Sequence, residues 1–189
     1  MTTDRENKAT QPIFRDRKFL KMGLLFCSLV VILDLLVWYL GRREYLAFVD
    51  IFTSYVIAGL IQLSDLPVLR DSNTIYLTNA VWIVTTECTA LFIMLIFSSF
   101  VMVFPSSIKA KLVGIAAGIP VIFSANILRL YMMAWIDYLR PQFSEYFHNY
   151  VWQVFFILMI IFMWLFWIDR IVKPGEIRQE AGSVPGKNP

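Results

Sequence analysis

Four long apolar runs are the feature that most constrains the fold of this chain. They cover residues 19–40, 88–104, 112–136 and 148–168, and each is close to the ~20 residues that a helix needs to cross a hydrocarbon core of roughly 30 Å. The composition agrees, because 58% of the residues are hydrophobic and only 16% are charged, against about 25% charged in a soluble domain. The sequence therefore predicts an all-α integral membrane helical bundle with about four spans.

A fifth run, residues 45–63, is long enough to cross but contains several polar residues, so it could span, re-enter or lie along the interface. The distribution of Lys and Arg favours the last of these. With four spans, twelve basic residues fall on the side of the two tails and four on the opposite side, whereas a fifth span would divide them eight and eight. Because basic residues accumulate on the cytoplasmic side, we expect four spans, two cytoplasmic termini and a partly immersed outer helix over 45–63.

Between the first two spans the composition changes. The Asp71-Ser-Asn73 triplet is a turn signal, and β-prone residues lie on both sides of it, so we expect a short extracytoplasmic β-hairpin near 66–86. Residues 173–189 are rich in Gly, Pro, Glu and Lys without periodicity and are predicted to form a disordered cytoplasmic tail. Residues 1–172 are then a single polytopic membrane domain.

Three polar or reactive side chains are predicted to share one depth in the membrane: Cys88, Arg129 and His148. With a rise of 1.5 Å per helical residue, they lie roughly 24, 27 and 30 Å from the cytoplasmic ends of their own spans. All three are therefore expected near the outer surface, on three different helices. Asn126 is three residues before Arg129, so these two side chains are expected on one helix face.

Each of these residues also has a simpler interpretation. Cys88 is a small side chain that can fill space at a helix start, and His148 can sit at the interface as an amphipathic ring. Arg129 can extend to the surface as an anchor. Of these three simpler interpretations, the one for Arg129 is the weakest. A charged residue inside a span is rare and usually faces a partner or a wet cavity, and Asn126 lies on the same helix face as Arg129.

Taken together, these residues offer nucleophilic chemistry. A thiolate is the reactive form of cysteine, and a nearby cation and a helix N-terminus both favour it. His148 could take the proton from Cys88 and return it to a leaving amine, while Arg129 could stabilise an oxyanion. The role of Glu87 stays open, since it would oppose the thiolate unless it pairs with Arg129 or orients His148. Asp137 is the nearest other candidate for orienting the histidine.

The order of these residues resembles the exosortase/archaeosortase superfamily of membrane-embedded cysteine transpeptidases. The resemblance covers about residues 64–170 and is carried by Thr86-Glu-Cys-Thr-Ala90, by Asn126-Ile-Leu-Arg129, and by Phe147-His148 with Val151-Trp-Gln153 after it. One position departs from the pattern. Many members have Ser-Gly after the cysteine, whereas this chain has Thr-Ala, a change expected to alter substrate fit and to leave the nucleophile in place.

The resemblance implies a cysteine protease or transpeptidase in a prokaryotic cytoplasmic (inner) membrane, with its active site on the extracytoplasmic side. Its partners would be the lipid bilayer and exported proteins that carry a C-terminal sorting signal composed of a short motif, a transmembrane helix and a basic cluster. Cleavage would pass through a thioacyl-enzyme, with transfer of the product to an acceptor. By position, Cys88 would be the nucleophile, His148 the acid and base, and Arg129 the electrostatic stabiliser, with Asn126 in a supporting role.

Two alternatives remain open at this point. One is a non-enzymatic membrane assembly or transporter-like protein in which Arg129 belongs to a structural ion pair. The other is a lipid acyltransferase in which His148 is central and Cys88 incidental. No cofactor or metal is predicted, because the chain has one histidine and no Gly-rich phosphate-binding loop. The net charge of +3 gives no reason to expect nucleic acid as a partner.

Overall fold

The computed structural model describes residues 17–173 and is mostly helical, with one small sheet. The helices are α1 (Arg17–Arg42), α2 (Ala47–Gln62), α3 (Leu91–Val103), α4 (Ile108–Leu139), the single turn α5 (Ser144–Tyr146) and α6 (Trp152–Trp167). The strands are β1 (Val68–Asp71), β2 (Thr74–Leu77) and β3 (Val81–Ile83). The predicted disordered tail lies, from residue 174 onward, outside the described residues.

Within residues 17–173, three helical stretches are long and apolar enough to cross a membrane: Leu20–Arg42, Ile108–Leu139 and Pro141–Val172. The protein is therefore a multi-pass membrane protein. The fourth predicted span, 88–104, contains only the 13 residues of α3, which measure about 20 Å against a hydrocarbon core of roughly 30 Å. A count of four spans is accordingly not confirmed.

Helix α4 is longer than the apolar run that predicted it. It has 32 residues, or about 48 Å. Its N-terminus is capped by Ser107, whose side chain accepts a hydrogen bond from the backbone N–H of Ala110 over 3.3 Å. The helix extends beyond the predicted span 112–136 at both ends. In the C-terminal extension the carboxylate of Asp137 accepts a hydrogen bond from the indole N–H of Trp82, which satisfies this buried polar group.

The predicted partly immersed segment 45–63 forms α2, which packs between α4 and the sheet. The Ser54 hydroxyl donates to the carbonyl oxygen of Ser72, in the β1–β2 turn, over 2.7 Å. The buried face of α2 also carries Thr53, Ile57, Ala58 and Ile61. Its other face leaves large apolar side chains exposed, namely Phe48, Ile51, Phe52, Tyr55, Leu60 and Leu63. This helix therefore contacts protein on one face and presents an apolar surface on the other, and its depth in the bilayer stays a prediction.

The predicted β-hairpin forms, and a third strand adds to it. The sheet is antiparallel with the order β1-β2-β3, and its register pairs Arg70 with Ile75 and Tyr76 with Val81. Ser72 has φ 53° at the turn between β1 and β2. Ile75 is fully buried against the helices, which fixes the face that the sheet turns toward the bundle.

The buried apolar side chains form two clusters. The sheet-side cluster joins α2, the sheet and the C-terminal part of α4, and contains Ile57, Ile61, Leu66, Ile75, Val84, Leu130 and Ala134. The helical cluster joins α3, the N-terminal part of α4 and the end of α6, and contains Ala90, Phe97, Val101, Ala110, Ile122, Trp167 and Val172. Cys88 packs against the first cluster and Ala90 belongs to the second. The short segment 88–90 therefore lies where the two clusters meet.

Two glycines of α4 allow the close packing of the helical cluster. Gly114 lies under the indole of Trp167, and Gly118 lies under the ring of Phe97. A Cβ atom at Gly118 would come within 2.6 Å of Phe97 Cζ, and one at Gly114 within 2.8 Å of Trp167 Cδ1. The Trp167 indole N–H donates to the Ala110 carbonyl oxygen over 2.9 Å, so the ends of α4 and α6 are held in one position.

Candidate functional site

Cys88 lies in a 3-10 turn, Thr86–Thr89, rather than in α3. The prediction that it opens the span is therefore wrong by three residues, because α3 begins at Leu91. The turn is held by its own hydrogen bonds: the Cys88 N–H donates to the Thr85 carbonyl oxygen over 2.7 Å, and the Thr89 hydroxyl donates to the Thr86 carbonyl oxygen over 2.7 Å. The Cys88 thiol is free and half-buried, with the Thr85 hydroxyl 3.7 Å from the sulfur.

Ala90 joins this turn to α3 in a left-handed conformation, with φ 58° and ψ 17°. An L-residue pays about 1–2 kcal/mol there, whereas glycine does not. Many members of the exosortase/archaeosortase superfamily have Gly at this position, two residues after the cysteine. The left-handed backbone conformation explains why glycine is favoured there. The expected effect of this departure on substrate fit stays a prediction.

Asn126 fixes the position of the cysteine relative to α4. Its side chain is fully buried, and its Nδ2 donates to the carbonyl oxygen of Cys88 over 2.7 Å. The other amide atom, Oδ1, is buried and has no hydrogen-bond partner among the described residues. Asn126 therefore holds the backbone of the turn and still has an unused acceptor.

Arg129 lies one helical turn beyond Asn126, and its guanidinium lies over the ring of Phe156 with 5.9 Å between Cζ and the ring centroid. Its Nε is buried without a hydrogen-bond partner in the described part of the chain. The guanidinium is close enough to interact electrostatically with both Cys88 and His148. Arg129 thus contacts the bundle rather than extending away from it.

Glu87, whose role the sequence left open, is exposed. Within residues 17–173 it forms no ion pair with Arg129 or His148. The structure therefore assigns Glu87 no contact with either residue.

His148 lies in a π-helical stretch, Phe147–Val151, just before α6. Its side chain is exposed at the edge of a cavity of about 310 Å³ that Cys88 also lines. Strand β3 and residues 130, 133 and 144 form other parts of the wall. π-Helical turns are rare and occur frequently at functional sites, and this one carries the only histidine of the chain.

Asp137 does not bond to the histidine in this structure. Its carboxylate accepts from Trp82 Nε1 over 2.8 Å, and its backbone carbonyl accepts from Asn79 Nδ2 over 3.2 Å. It remains near enough to His148 for an electrostatic interaction. The main structural effect of Asp137 is therefore to attach the sheet to α4 beside the cavity.

The structure thus brings Cys88 and His148 to one cavity, bonds Asn126 to the backbone of the cysteine, and places Arg129 one helical turn farther along α4 over Phe156. Sequence reasoning missed the contribution of β3 to the cavity wall, although the β-prone composition of 80–86 was the available signal. Within the described ranges there is no cluster of three or more His, Cys, Asp or Glu that could hold a metal ion. The cavity combines a nucleophile, a group able to transfer protons and a nearby positive charge, which is a set suited to acyl transfer.

Comparison with known protein families gives one match. The model of the transmembrane exosortase family (Exosortase_EpsH) matches residues 14–165, about four-fifths of the chain. No curated protein and no solved structure matches significantly.

Proposed function

Because this chain belongs to the transmembrane exosortase family, we propose that it is a membrane cysteine protease and transpeptidase that cleaves C-terminal sorting signals of exported proteins. Family membership supports a membrane transpeptidase or protease role in general. The finer proposal rests on one observation, the shared cavity of Cys88 and His148. Arg129 supports it, since it lies one helical turn beyond Asn126, whose side chain bonds to the Cys88 backbone, and its guanidinium lies over Phe156 inside the bundle.

The first step is attack on the peptide bond. His148 takes the proton from the Cys88 thiol, and the thiolate attacks the carbonyl carbon of the scissile bond. A carbon–sulfur bond forms while the π electrons of the carbonyl move to its oxygen. Arg129 stabilises the resulting negative charge on the oxygen. This electrostatic stabilisation is strongest in a site that excludes water.

The second step releases the leaving group. The carbonyl double bond reforms, the carbon–nitrogen bond breaks, and the proton on His148 passes to the departing amine. The substrate is now a thioester on Cys88. An acceptor hydroxyl, amine or water then gives its proton to His148 and attacks the carbonyl carbon of the thioester. The carbon–sulfur bond breaks, and His148 returns the proton to the sulfur, which restores the thiol.

We further propose the orientation in the membrane that the basic residues favour. Both termini would be cytoplasmic, and the cavity would open on the extracytoplasmic side of a prokaryotic inner membrane. In this orientation the substrate is an exported protein still attached by its C-terminal helix. Its cleavage motif then lies at the height of the cavity, and its basic cluster stays in the cytoplasm.

Substitution of the two proposed reactive residues tests the function. A tagged exported protein with a C-terminal motif, apolar helix and basic cluster is co-expressed with wild-type, Cys88→Ala or His148→Ala protein, and its cleavage is followed by gel mobility at matched enzyme levels. We expect both variants to stop cleavage, and a thioester between Cys88 and the substrate peptide to be identified by mass spectrometry in the wild type.

The other outcomes separate the alternatives. Continued processing with Cys88→Ala would reject the nucleophile. Loss of an acyl-transfer activity on lipid with His148→Ala, but not with Cys88→Ala, would indicate the lipid acyltransferase. Processing that is the same with the wild type, with both variants and without the protein would leave a non-enzymatic membrane protein.

A further inference from the structure

Strand β3 is an edge strand of the sheet. Among the described residues it pairs with β2 only, because the strand order is β1-β2-β3. An edge strand presents a row of backbone N–H and C=O groups that lack a partner. Another extended chain can add to such an edge through main-chain hydrogen bonds. The free edge of β3 is therefore a potential binding surface for an extended peptide.

The hydrogen-bond ladder shows which groups of β3 face this free edge. The Val84 N–H donates to the Asn73 carbonyl oxygen over 2.8 Å. Bonded pairs recur at every second residue of an antiparallel ladder, so Trp82 is the next residue of β3 that is bonded to β2. Val81 and Ile83 occupy the alternate positions and direct their N–H and C=O groups away from β2. Within residues 17–173 these groups make no backbone hydrogen bond outside the sheet.

The free edge of β3 also forms a wall of the cavity that Cys88 and His148 share. Four consecutive residues, 81–84, line this cavity. Because the side chains of a strand alternate between its two faces, a wall made by four consecutive residues includes the backbone edge of the strand. Only five positions separate Ile83 from Cys88 in the sequence. The edge and the thiol therefore adjoin.

The two edges of the sheet differ in how well they are protected against strand addition. Charged residues and proline are common protective features of edge strands. Strand β1 contains Arg70 and Asp71 and directly follows Pro67, whereas residues 80–84 are Ala-Val-Trp-Ile-Val, without a charge or a proline. The unprotected edge is thus the one that lies at the cavity.

We propose that the cleavage segment of the substrate binds as a fourth strand at the free edge of β3, through hydrogen bonds to the backbone of Val81 and Ile83. The inference rests on the proposed function and specifies how its substrate is recognised. An extended peptide presents N–H and C=O groups on one side at every second residue, about 7 Å apart, which matches the spacing of Val81 and Ile83. These main-chain bonds place the scissile carbonyl beside Cys88, and the side chains that enter the cavity give specificity.

Proline at position 83 separates the free edge from the rest of the strand. Ile83→Pro removes one outward N–H and preserves the ladder, because proline is tolerated on an edge strand where its nitrogen faces away from the neighbouring strand. Ile83→Ala shortens the same side chain and keeps the N–H. The difference between the two variants therefore reports the backbone group.

Val68→Pro is the matched control on the opposite edge. Ile75 of β2 bonds to β3, so the alternating pattern assigns the neighbouring Tyr76 to β1, where it lies opposite Leu69. Val68 precedes Leu69 and directs its N–H away from the sheet. This variant removes the same chemical group from the same sheet, on the edge away from the cavity.

The experiment measures two reactions of each variant in a Cys27→Ala background, which removes the other free cysteine. Cleavage of the co-expressed tagged exported protein is followed by gel mobility, and the burst with p-nitrophenyl acetate measures acylation of Cys88 in detergent-purified protein. The small ester needs no strand partner. We expect Ile83→Pro to lower the ratio of cleavage to acylation by about 10-fold or more, Ile83→Ala to lower it much less, and Val68→Pro to leave it unchanged.

The outcomes for the inference and for the proposed function are distinct. Equal ratios for Ile83→Pro and Ile83→Ala would overturn strand addition, while loss of cleavage in Cys88→Ala would still support the proposed function. Cleavage that persists in Cys88→Ala would overturn the proposed function itself. A protein that is dimeric in detergent by light scattering, and monomeric as Ile83→Pro, would assign the edge to a second copy of the chain and also overturn the inference.

A backbone ester decides the matter if Ile83→Pro does not fold or slows both reactions equally. 2-Hydroxy-3-methylpentanoic acid at position 83 keeps the isoleucine side chain and replaces only the N–H by oxygen. The same fall in the ratio of cleavage to acylation is expected. An unchanged ratio with this ester would overturn the inference.

Discussion

The side-chain amide of Asn126 donates a hydrogen bond to the backbone carbonyl oxygen of Cys88 over 2.7 Å. This bond connects the longest helix of the protein to a 3-10 turn of four residues. Because Asn126 is fully buried, water does not compete for the bond. The height of the sulfur relative to Arg129 is therefore set by α4 rather than by the helix that follows the cysteine.

Asn126→Leu should lower both stability and acylation. The substitution keeps a side chain of similar size but leaves the Cys88 carbonyl oxygen unpaired, at a cost of about 1–3 kcal/mol. We expect a lower melting temperature in detergent and a slower burst with p-nitrophenyl acetate. Asn73→Leu is the control, because Asn73 Nδ2 makes an equivalent bond to the Val84 carbonyl oxygen over 3.0 Å. If both variants acylate equally fast, Asn126 has only a structural role.

Ala90→Gly should be nearly neutral for stability. Glycine relieves about 1–2 kcal/mol of left-handed strain, which offsets the loss of a buried methyl group and the greater freedom of glycine in the unfolded chain, about 0.4–1 kcal/mol. Ala134→Gly is the comparison, since Ala134 is equally buried but lies inside α4. There the same change costs about 1 kcal/mol in helix propensity alone. Equal losses at the two sites, measured by thermal unfolding, would contradict the assigned conformation of Ala90.

Gly118→Ala and Gly59→Ala should have opposite effects. A Cβ at Gly118 meets the Phe97 ring, so alanine there overpacks the helical cluster, at about 1–3 kcal/mol. A Cβ at Gly59, inside α2, would meet no atom of residues 17–173 within 4 Å, so alanine should gain about 0.5–1 kcal/mol. Thermal unfolding of the two variants checks both signs. A stable Gly118→Ala protein would show that α3 and α4 are farther apart than described.

Labelling of cysteines on intact spheroplasts tests the orientation. A membrane-impermeant maleimide should react with Cys88 and not with Cys27, which lies inside the α1 span. A cysteine introduced at Leu69, which is 75% exposed on the sheet, should react as an accessible outer control. Reaction at residues 69 and 88 only after permeabilisation would place the sheet and the cavity on the cytoplasmic side.

The parts of the fold that depend on local composition could be predicted, and those that depend on distant contacts could not. Apolar runs in the sequence predicted α1, α4 and the Pro141–Val172 stretch, because the hydropathy of a segment determines whether it is stable in a lipid bilayer. The bond between Trp82 and Asp137, which attaches the sheet to the end of α4, could not be predicted because the two residues are 55 positions apart.

The candidate site shows the same division. Cys88, Arg129 and His148 were selected by depth, which needs only the rise of a helix. The conformation of Ala90 left no signal in composition or periodicity, since it depends on how the turn meets α3. The third strand lies inside the predicted range 66–86 and follows β2 after only three residues, so it was missed because the prediction of a hairpin counted two strands in that range.

The size of the cavity beside Cys88 has a consequence for the timing of processing. At about 310 Å³ it is at the lower end of the range for small-molecule pockets, so it admits a few side chains of an extended peptide and no folded module. Under the proposed function, an exported protein is cut only through an extended segment between its folded domain and its membrane anchor. The length of that segment, more than the identity of the cargo, should decide which proteins are released and when.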